Sequence, residues 1–248
     1  ARFFMSLQAL DSAEHWRPLL EQGAWFAQIS PSLRRTLLEA ARVRQLEPGQ
    51  PLFLRGDSPC GLYAVLQGAV RISGVGGGAE EAREILLTLL EPPHWFGEVA
   101  LFDGRPRTHD AHAGPATRLL HIPQEKLLTS LSAEPVHWRE LGLLMAEKLR
   151  LVFVELEEAA TLPVAQRLAR RLVQMAGGFG VRGERAAALH RRSIVVSQEQ
   201  LARMLSVTRQ TVNQNLKGLE GQNVLRLTRG GLEILDWVRL QAVAAAAD

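Results

Sequence analysis

Residues 143–162 run without a glycine or a proline, and Pro135 and Pro163 bracket them. Proline fixes φ and lacks an N–H, so it suits the first turn of a helix and breaks an interior. The spacing predicts one helix from Glu134-Pro135 to about Ala160. Leu141, Met145, Leu149, Val152 and Leu156 recur along it every three or four residues, with Glu and Lys/Arg on the flanks. Two readings of that stripe are open: a coiled-coil seam between two copies of the chain, or packing on its own domain. At 1.5 Å per residue such a helix spans ~40 Å, more than a small domain covers, which favours the seam.

Upstream the pattern is different. Residues 42–122 read as short strands punctuated by turn signals: 51–55, 62–66, 69–72, 83–90 and 117–122, separated by Pro48-Gly49, Gly56-Asp57, Gly68 and Gly74. Many short strands at this spacing predict a sandwich or jelly roll. Gly76-Gly77-Gly78 reads as a hairpin tip, because no Gly-Lys-Ser/Thr follows to make a phosphate loop. The single cysteine, Cys60, excludes a disulfide scaffold and a four-thiolate iron–sulfur site. No apolar run reaches ~18 residues, so no membrane span is expected, and the first residues lack the look of a secretory signal. The expected location is the cytoplasm.

Downstream, Pro163 opens a second helix, Val164–Met175, which Gly177-Gly178 ends, and residues 178–192 read as a loop. Charge divides along the same line. Residues 1–158 hold 16 Lys+Arg against 20 Asp+Glu, a net of −4, and residues 159–248 hold 13 against 6, a net of +7. A basic C-terminal part points to a polyanion, nucleic acid foremost. Residues 198–217 then carry a helix-turn-helix pattern. Ser197 caps a first helix with Leu201 and Leu205 on its apolar face and Ala202 at the crossing; Ser206 and Val207 turn; Thr208 caps a second helix, which Val212, Leu216 and Leu219 bury. Its outer face is Arg209, Gln210, Asn213, Gln214 and Lys217, long polar groups suited to base edges and phosphates. Thr208, Thr211 and Lys217 are assigned to the DNA backbone. Val224–Thr228, Arg229-Gly230-Gly231 and Leu232–Leu235 read as a β-hairpin wing, with Arg226 and Arg229 near phosphates, and the tail beyond reads as a helix.

The strand-rich part holds a candidate anion pocket in Phe96–Thr108. Gly97 permits close backbone approach, Glu98 can accept from a sugar hydroxyl, Arg107 offers a charged fork to phosphate oxygens, and Thr108 adds a hydroxyl. A structural Glu98–Arg107 ion pair is the other reading. His109-x-x-His112 with Asp110 is a weak metal candidate, since on a strand the two histidines point to opposite faces. No metal site is assigned. Cys60 reads as an inert thiol, Trp25, Trp95 and Trp138 as apolar anchors, and no catalytic constellation stands out, so no enzyme activity is expected.

The order of sandwich, long helix and winged helix resembles the cyclic-AMP receptor protein/fumarate–nitrate regulator family of bacterial transcription factors. The motifs that carry it are Gly49-x-x-Leu52-Phe53, Gly56-Asp57, Gly61-Leu62-Tyr63, Gly68, Phe96-Gly97-Glu98, Pro106-Arg107-Thr108 and Thr208–Val212. The resemblance implies an α+β chain: an N-terminal helical segment at 1–24, a cyclic-nucleotide-binding-like β jelly roll at 25–133, a dimerisation helix and hinge at 134–161, a winged helix-turn-helix at 162–236 and a tail at 237–248. It implies a homodimer on a palindromic double-stranded DNA site, with RNA polymerase a candidate partner. It places Gly97, Glu98, Arg107 and Thr108 at the ribose and cyclic phosphate of an effector, for which cyclic AMP, cyclic GMP and cyclic di-GMP are the candidates; no resident cofactor is assigned. It also sets Val152 and Phe153, which have no side-chain donor, where cyclic-AMP-binding members carry a Thr-Ser pair. Gln210 and Gln214 stand where readers in the family often carry Glu and Arg, so no DNA sequence transfers. Two further readings are a constitutive DNA-binding regulator without effector and, remotely, a cupin-like metal-dependent enzyme.

Overall fold

A computed structural model describes residues 12–76, 83–177 and 192–245. The expected glycine tip at 77–78, most of the loop at 178–192 and the first eleven residues lie outside the described residues. The chain divides into two compact units, residues 1–74 with 88–149, and residues 75–87 with 150–248.

In the first unit, a 3₁₀ turn at Ala13–Trp16 leads into α1 (Arg17–Leu20), α2 (Ala24–Gln28) and α3 (Pro31–Ala40). Ser30 caps α3 by accepting from the Leu33 N–H, and Pro31 stands at the position where its missing donor costs nothing. Eight strands follow: β1 (Arg42–Leu46), β2 (Pro51–Phe53), β3 (Gly61–Gln67), β4 (Val70–Gly76), β5 (Arg83–Leu90), β6 (Trp95–Phe96), β7 (Asp110–Ala113) and β8 (Thr117–Pro123), the last residues of β4 and the first of β5 being counted with the second unit. They form two four-stranded sheets, ordered β1-β8-β3-β6 and β2-β7-β4-β5. A short helix α4 (Val99–Asp103) interrupts them, and α5 (Gln124–Ala133) and α6 (Val136–Thr161) follow. The strands at Arg83–Leu90 and 117–122 fall where the turn signals predict. The two-residue β6 and the four-residue β7 were hidden, being too short to show an alternation.

The sandwich is two cores sharing one sheet. β3 is buried on both faces, which is why its sequence, Gly61-Leu-Tyr-Ala-Val-Leu66, is apolar throughout rather than alternating. Leu62, Ala64 and Leu66 point outward with Leu120 and Ile122, and helices cover them through Phe26, Leu33, Leu37, Leu127, Leu131, Leu141 and Leu144. Tyr63 and Val65 point between the sheets with Phe53, Phe96, Ala111, Ala113 and Leu119. Each leucine so buried stabilises the unit by about 1.5–3 kcal/mol. Trp95 stacks on Phe26 at a ring distance of 5.3 Å and meets Trp25 edge-on at 5.2 Å, and the Trp25 Nε1–H donates to the Glu140 carbonyl of α6 at 2.7 Å.

The second unit carries the end of α6, then α7 (Val164–Gly177), β9 (Ser193–Ile194), α8 (Gln198–Leu205), α9 (Arg209–Gly221), a hairpin of β10 (Leu225–Thr228) and β11 (Gly231–Ile234), and α10 (Trp237–Ala245). β9 adds to the hairpin, giving the order β10-β11-β9. Ser197 makes a full capping box with Gln200, and Thr208 caps α9 by accepting from the Thr211 N–H. Ser206 closes the turn between the two helices at φ 54°, ψ 42°. Glycine adopts that left-handed region without the strain that a Cβ brings.

Candidate functional site

The anion-pocket residues gather at one end of the inter-sheet space. Gly97 follows β6 at φ +96°, and a Cβ on it would lie 2.8 Å from the Gly61 carbonyl oxygen and 3.1 Å from Arg107 Nη1. Only glycine fits that cradle. Arg107 is 5% exposed. Its Nη1 donates to the Gly97 carbonyl at 2.9 Å, and its Nη2 to the Gly61 carbonyl at 2.7 Å and to Cys60 Sγ at 3.1 Å. The guanidinium lies over the Phe53 ring, 4.3 Å from its centroid. Its Nε is buried without a hydrogen-bond partner.

Glu98 is buried as well, and the alternative reading, a Glu98–Arg107 ion pair, is not formed. The Glu98 carboxylate instead accepts from Lys148 Nζ of α6 at 2.7 Å. Thr108 differs from its three companions: it is exposed, and its Oγ1 pairs with His109 Nδ1 at 2.9 Å. Four residues in this region were not assigned to the site from the sequence. Lys148 lies fifty positions from Glu98, and Phe53, Tyr63 and His121 look like ordinary sheet residues. Tyr63 stacks flat on His121 with centroids 4.4 Å apart, its hydroxyl pairs with Cys60 Sγ at 3.1 Å, and His121 Nε2 meets the Cys60 carbonyl at 2.9 Å. Burial, then the Cys60 contact, pushes the Tyr63 hydroxyl well above its usual titration range. Burial foremost, with Arg44, Arg107 and Arg42 adding, holds His121 below the ordinary histidine value, so its neutral form is favoured.

Among the helix stripe residues, Leu141 is fully buried in the core of its own unit and has no surface to give a partner. The seam assignment is corrected there: the first stripe position serves the sandwich. Met145 is half-buried, whereas Leu149, Val152 and Leu156 are 52–66% exposed, along with Phe153.

On the recognition helix α9, Thr208, Arg209, Gln210, Gln214 and Lys217 are exposed, and Val212, Leu216 and Leu219 face inward. Thr211 is half-buried, with its hydroxyl 2.8 Å from that of Thr208. Asn213 departs from the outer face assigned to it. It is half-buried, and its Oδ1 accepts from Gln198 Nε2 of α8 at 3.3 Å. A residue at this register sits on the flank of the helix, where the neighbouring helix reaches it. On the wing, Arg226 is tied to Glu233 at 2.6 Å, and Arg229 at the hairpin tip is exposed. The described residues contain no group of three or more His, Cys, Asp and Glu that could hold a metal, and no helix among them is long and apolar enough to cross a membrane.

A sheet sandwich with a buried arginine and glutamate beside a glycine cradle, in a chain that ends in a capped helix-turn-helix with a wing, defines a ligand-sensing DNA-binding protein. Comparison with known proteins agrees. A model of the cyclic nucleotide-binding domain matches residues 43–134, and a model of the Crp-like helix-turn-helix domain matches residues 166–243. The chain is 31% identical over 227 residues to a CRP-like cAMP-activated global transcriptional regulator of Mycobacterium tuberculosis, covering 90% of this chain and 96% of that one. It is 31% identical over 206 residues to the cyclic AMP receptor protein of Thermus thermophilus, covering 81% and 88%. Among solved structures, FixK2 of Bradyrhizobium japonicum shares the fold at a TM-score of 0.69 and 19% identity, with 84% and 99% covered. The chain belongs to the cyclic-AMP receptor protein/fumarate–nitrate regulator family. It is a homodimeric DNA-binding regulator of transcription, and the relatives it matches are regulators rather than enzymes.

Proposed function

We propose that a cyclic nucleotide entering the sandwich beside Gly97 governs DNA binding by this regulator. The observation that carries the reading is Arg107. It is a buried cation with its Nε unpartnered, next to a backbone cradle that a Cβ would fill. Such a group suits the phosphate of a small ligand better than a solvated surface role. Glu98, already held by Lys148, is the acceptor for a ribose hydroxyl, and Thr108 is the hydroxyl donor beside Arg107. The named relatives from Mycobacterium and Thermus support a cyclic nucleotide as the class. With Val152 and Phe153 on the long helix, cyclic GMP and cyclic di-GMP stay alongside cyclic AMP as candidates.

Leu149, Val152, Phe153 and Leu156 supply the apolar seam of the homodimer, with Met145 at its edge. Arg209, Gln210 and Gln214 read base edges in the major groove, each good bidentate pair discriminating by about 1–3 kcal/mol. Thr208, Thr211, Lys217 and Arg229 hold the backbone, and Asn213 steadies the pair of helices. Two recognition helices related by a twofold require a palindromic site with half-sites ~34 Å apart. RNA polymerase is the expected further partner, and the cytoplasm the expected location. Calorimetry with cyclic AMP, cyclic GMP and cyclic di-GMP, with Glu98→Gln as the comparison, tests the effector. Saturable binding of one nucleotide, weakened in the variant, is the expected result. No binding of any of the three would overturn the effector reading and leave a constitutive regulator.

A further inference from the structure

The junction between α6 and α7 consists of Leu162 and Pro163, and Pro163 offers no N–H there. Two ion pairs bridge it. Arg170 Nη1 lies 2.9 Å from Glu158 Oε1, and Arg171 Nη1 lies 3.0 Å from Glu155 Oε1. Each pair has one sheltered member: the Glu158 side chain is 15% exposed and that of Arg171 9%, while those of Arg170 and Glu155 are 32% and 38% exposed. Salt screens such half-sheltered pairs less than fully solvated ones.

The same helix face holds the ends of two further helices. Arg167 Nη2 donates to the carbonyl of Leu205, the last residue of α8, at 2.7 Å. The left-handed Ser206 follows directly, and then α9. Arg170 Nε donates to the Ala244 carbonyl near the end of α10 at 2.8 Å, and Gln166 Nε2 reaches the same oxygen at 3.3 Å. Cationic donors at helix C-termini meet the negative end of the helix dipole. One guanidinium, that of Arg170, thus joins α6, α7 and α10, and its neighbour at 167 pins the start of the turn that launches the recognition helix.

We propose that Arg170 is a positioning residue for DNA reading. With Arg171 it locks the Leu162-Pro163 turn through Glu158 and Glu155, and it carries that setting to the last helix. The lock sets the direction in which α7 leaves the end of α6. Through Arg167 and Arg170, α7 sets where α8 and α10 stop. Loss of the two carboxylates leaves the bonds to Ala244 and Leu205 in place and frees only the turn.

The test uses the full-length chain, with Glu155→Gln/Glu158→Gln and Arg170→Lys as variants. Hydrogen exchange of amides 159–162 and 164–167, in free protein, reads the turn. Anisotropy on a duplex selected in vitro and on an unrelated duplex reads positioning, and calorimetry reads the unfolding midpoint. In the double variant, exchange at those amides is expected to quicken ~5–10-fold and the ratio of selected to unrelated duplex affinity to fall by a similar factor. The unfolding midpoint falls by a few °C, in keeping with that factor. Arg170→Lys retains part of the ratio, since it keeps the charge and loses the fork. Exchange and ratio both within ~2-fold of the parent would overturn the proposal. So would a change in affinity equal for both duplexes, which is only the added positive charge acting on DNA. A parent chain that selects no duplex would count against the DNA-binding reading itself, whereas the exchange measurement, which uses no DNA, still decides the lock.

Discussion

Replacing Lys148 with methionine strands a buried carboxylate. Glu98 has 4% of its side chain exposed and its carboxylate accepts from Lys148 Nζ at 2.7 Å, while 25% of the lysine side chain reaches solvent. Removing one partner of a fully buried pair costs about 3–5 kcal/mol, because the other charge remains uncompensated. Water that reaches the vacated lysine site softens this, so about 2–3 kcal/mol is expected for Lys148→Met. Glu98→Gln keeps an acceptor of the same shape and lets the ammonium turn to solvent, costing about 1 kcal/mol. The double variant has no stranded charge and is expected to cost no more than about 1 kcal/mol, giving a coupling of about 2 kcal/mol. Urea unfolding followed by tryptophan fluorescence suits the measurement, since Trp16, Trp25, Trp95 and Trp138 lie in the first unit and only Trp237 in the second. The slope against urea should stay unchanged, so that the midpoint alone reports stability. A cycle with additive single effects, coupled by less than ~0.5 kcal/mol, would refute the premise that Lys148 neutralises a desolvated charge.

Acid should weaken the first unit through His121. Its folded titration point lies below the 6.5 of a free histidine, so between the two values the unfolded chain binds more protons than the folded one. Its contribution is complete above pH 6.5 and is lost as the pH falls through the folded value; His121→Gln should flatten the stability–pH curve in that window, and an unchanged curve would assign the acid loss elsewhere. Ser206→Gly should stabilise the second unit by about 0.5–1 kcal/mol, because it relieves a left-handed backbone at a non-glycine residue; a lower unfolding midpoint would show that the serine repays its strain. Lys217→Ala should weaken binding to every duplex alike and lower the salt slope by about 1, whereas Gln210→Ala should relax discrimination at one base pair, and the reverse pattern would exchange their roles.

Much of this protein was legible because its signals are local. The run without glycine or proline set the long helix, which ends at Thr161, just before Pro163. The helix-turn-helix could be read to the residue because caps and apolar faces repeat within four positions: Ser197, Thr208 and the buried Val212, Leu216 and Leu219 stand where the pattern required. Tertiary structure alone decided the pairings across long separations. Glu98 could be recognised as a polar residue near Arg107, but its partner is Lys148 of the long helix, and Arg107 spends its fork on the carbonyls of Gly61 and Gly97. Leu141 and Leu149 are both leucines of one stripe, and only packing makes the first a core residue and leaves the second exposed. Asn213 and Gln214 are adjacent and chemically alike, yet Gln198 from the neighbouring helix takes up the first and not the second. Sequence patterns report which face of an element is apolar. Which element arrives to meet that face depends on loop closures and layer packing, which no local pattern encodes.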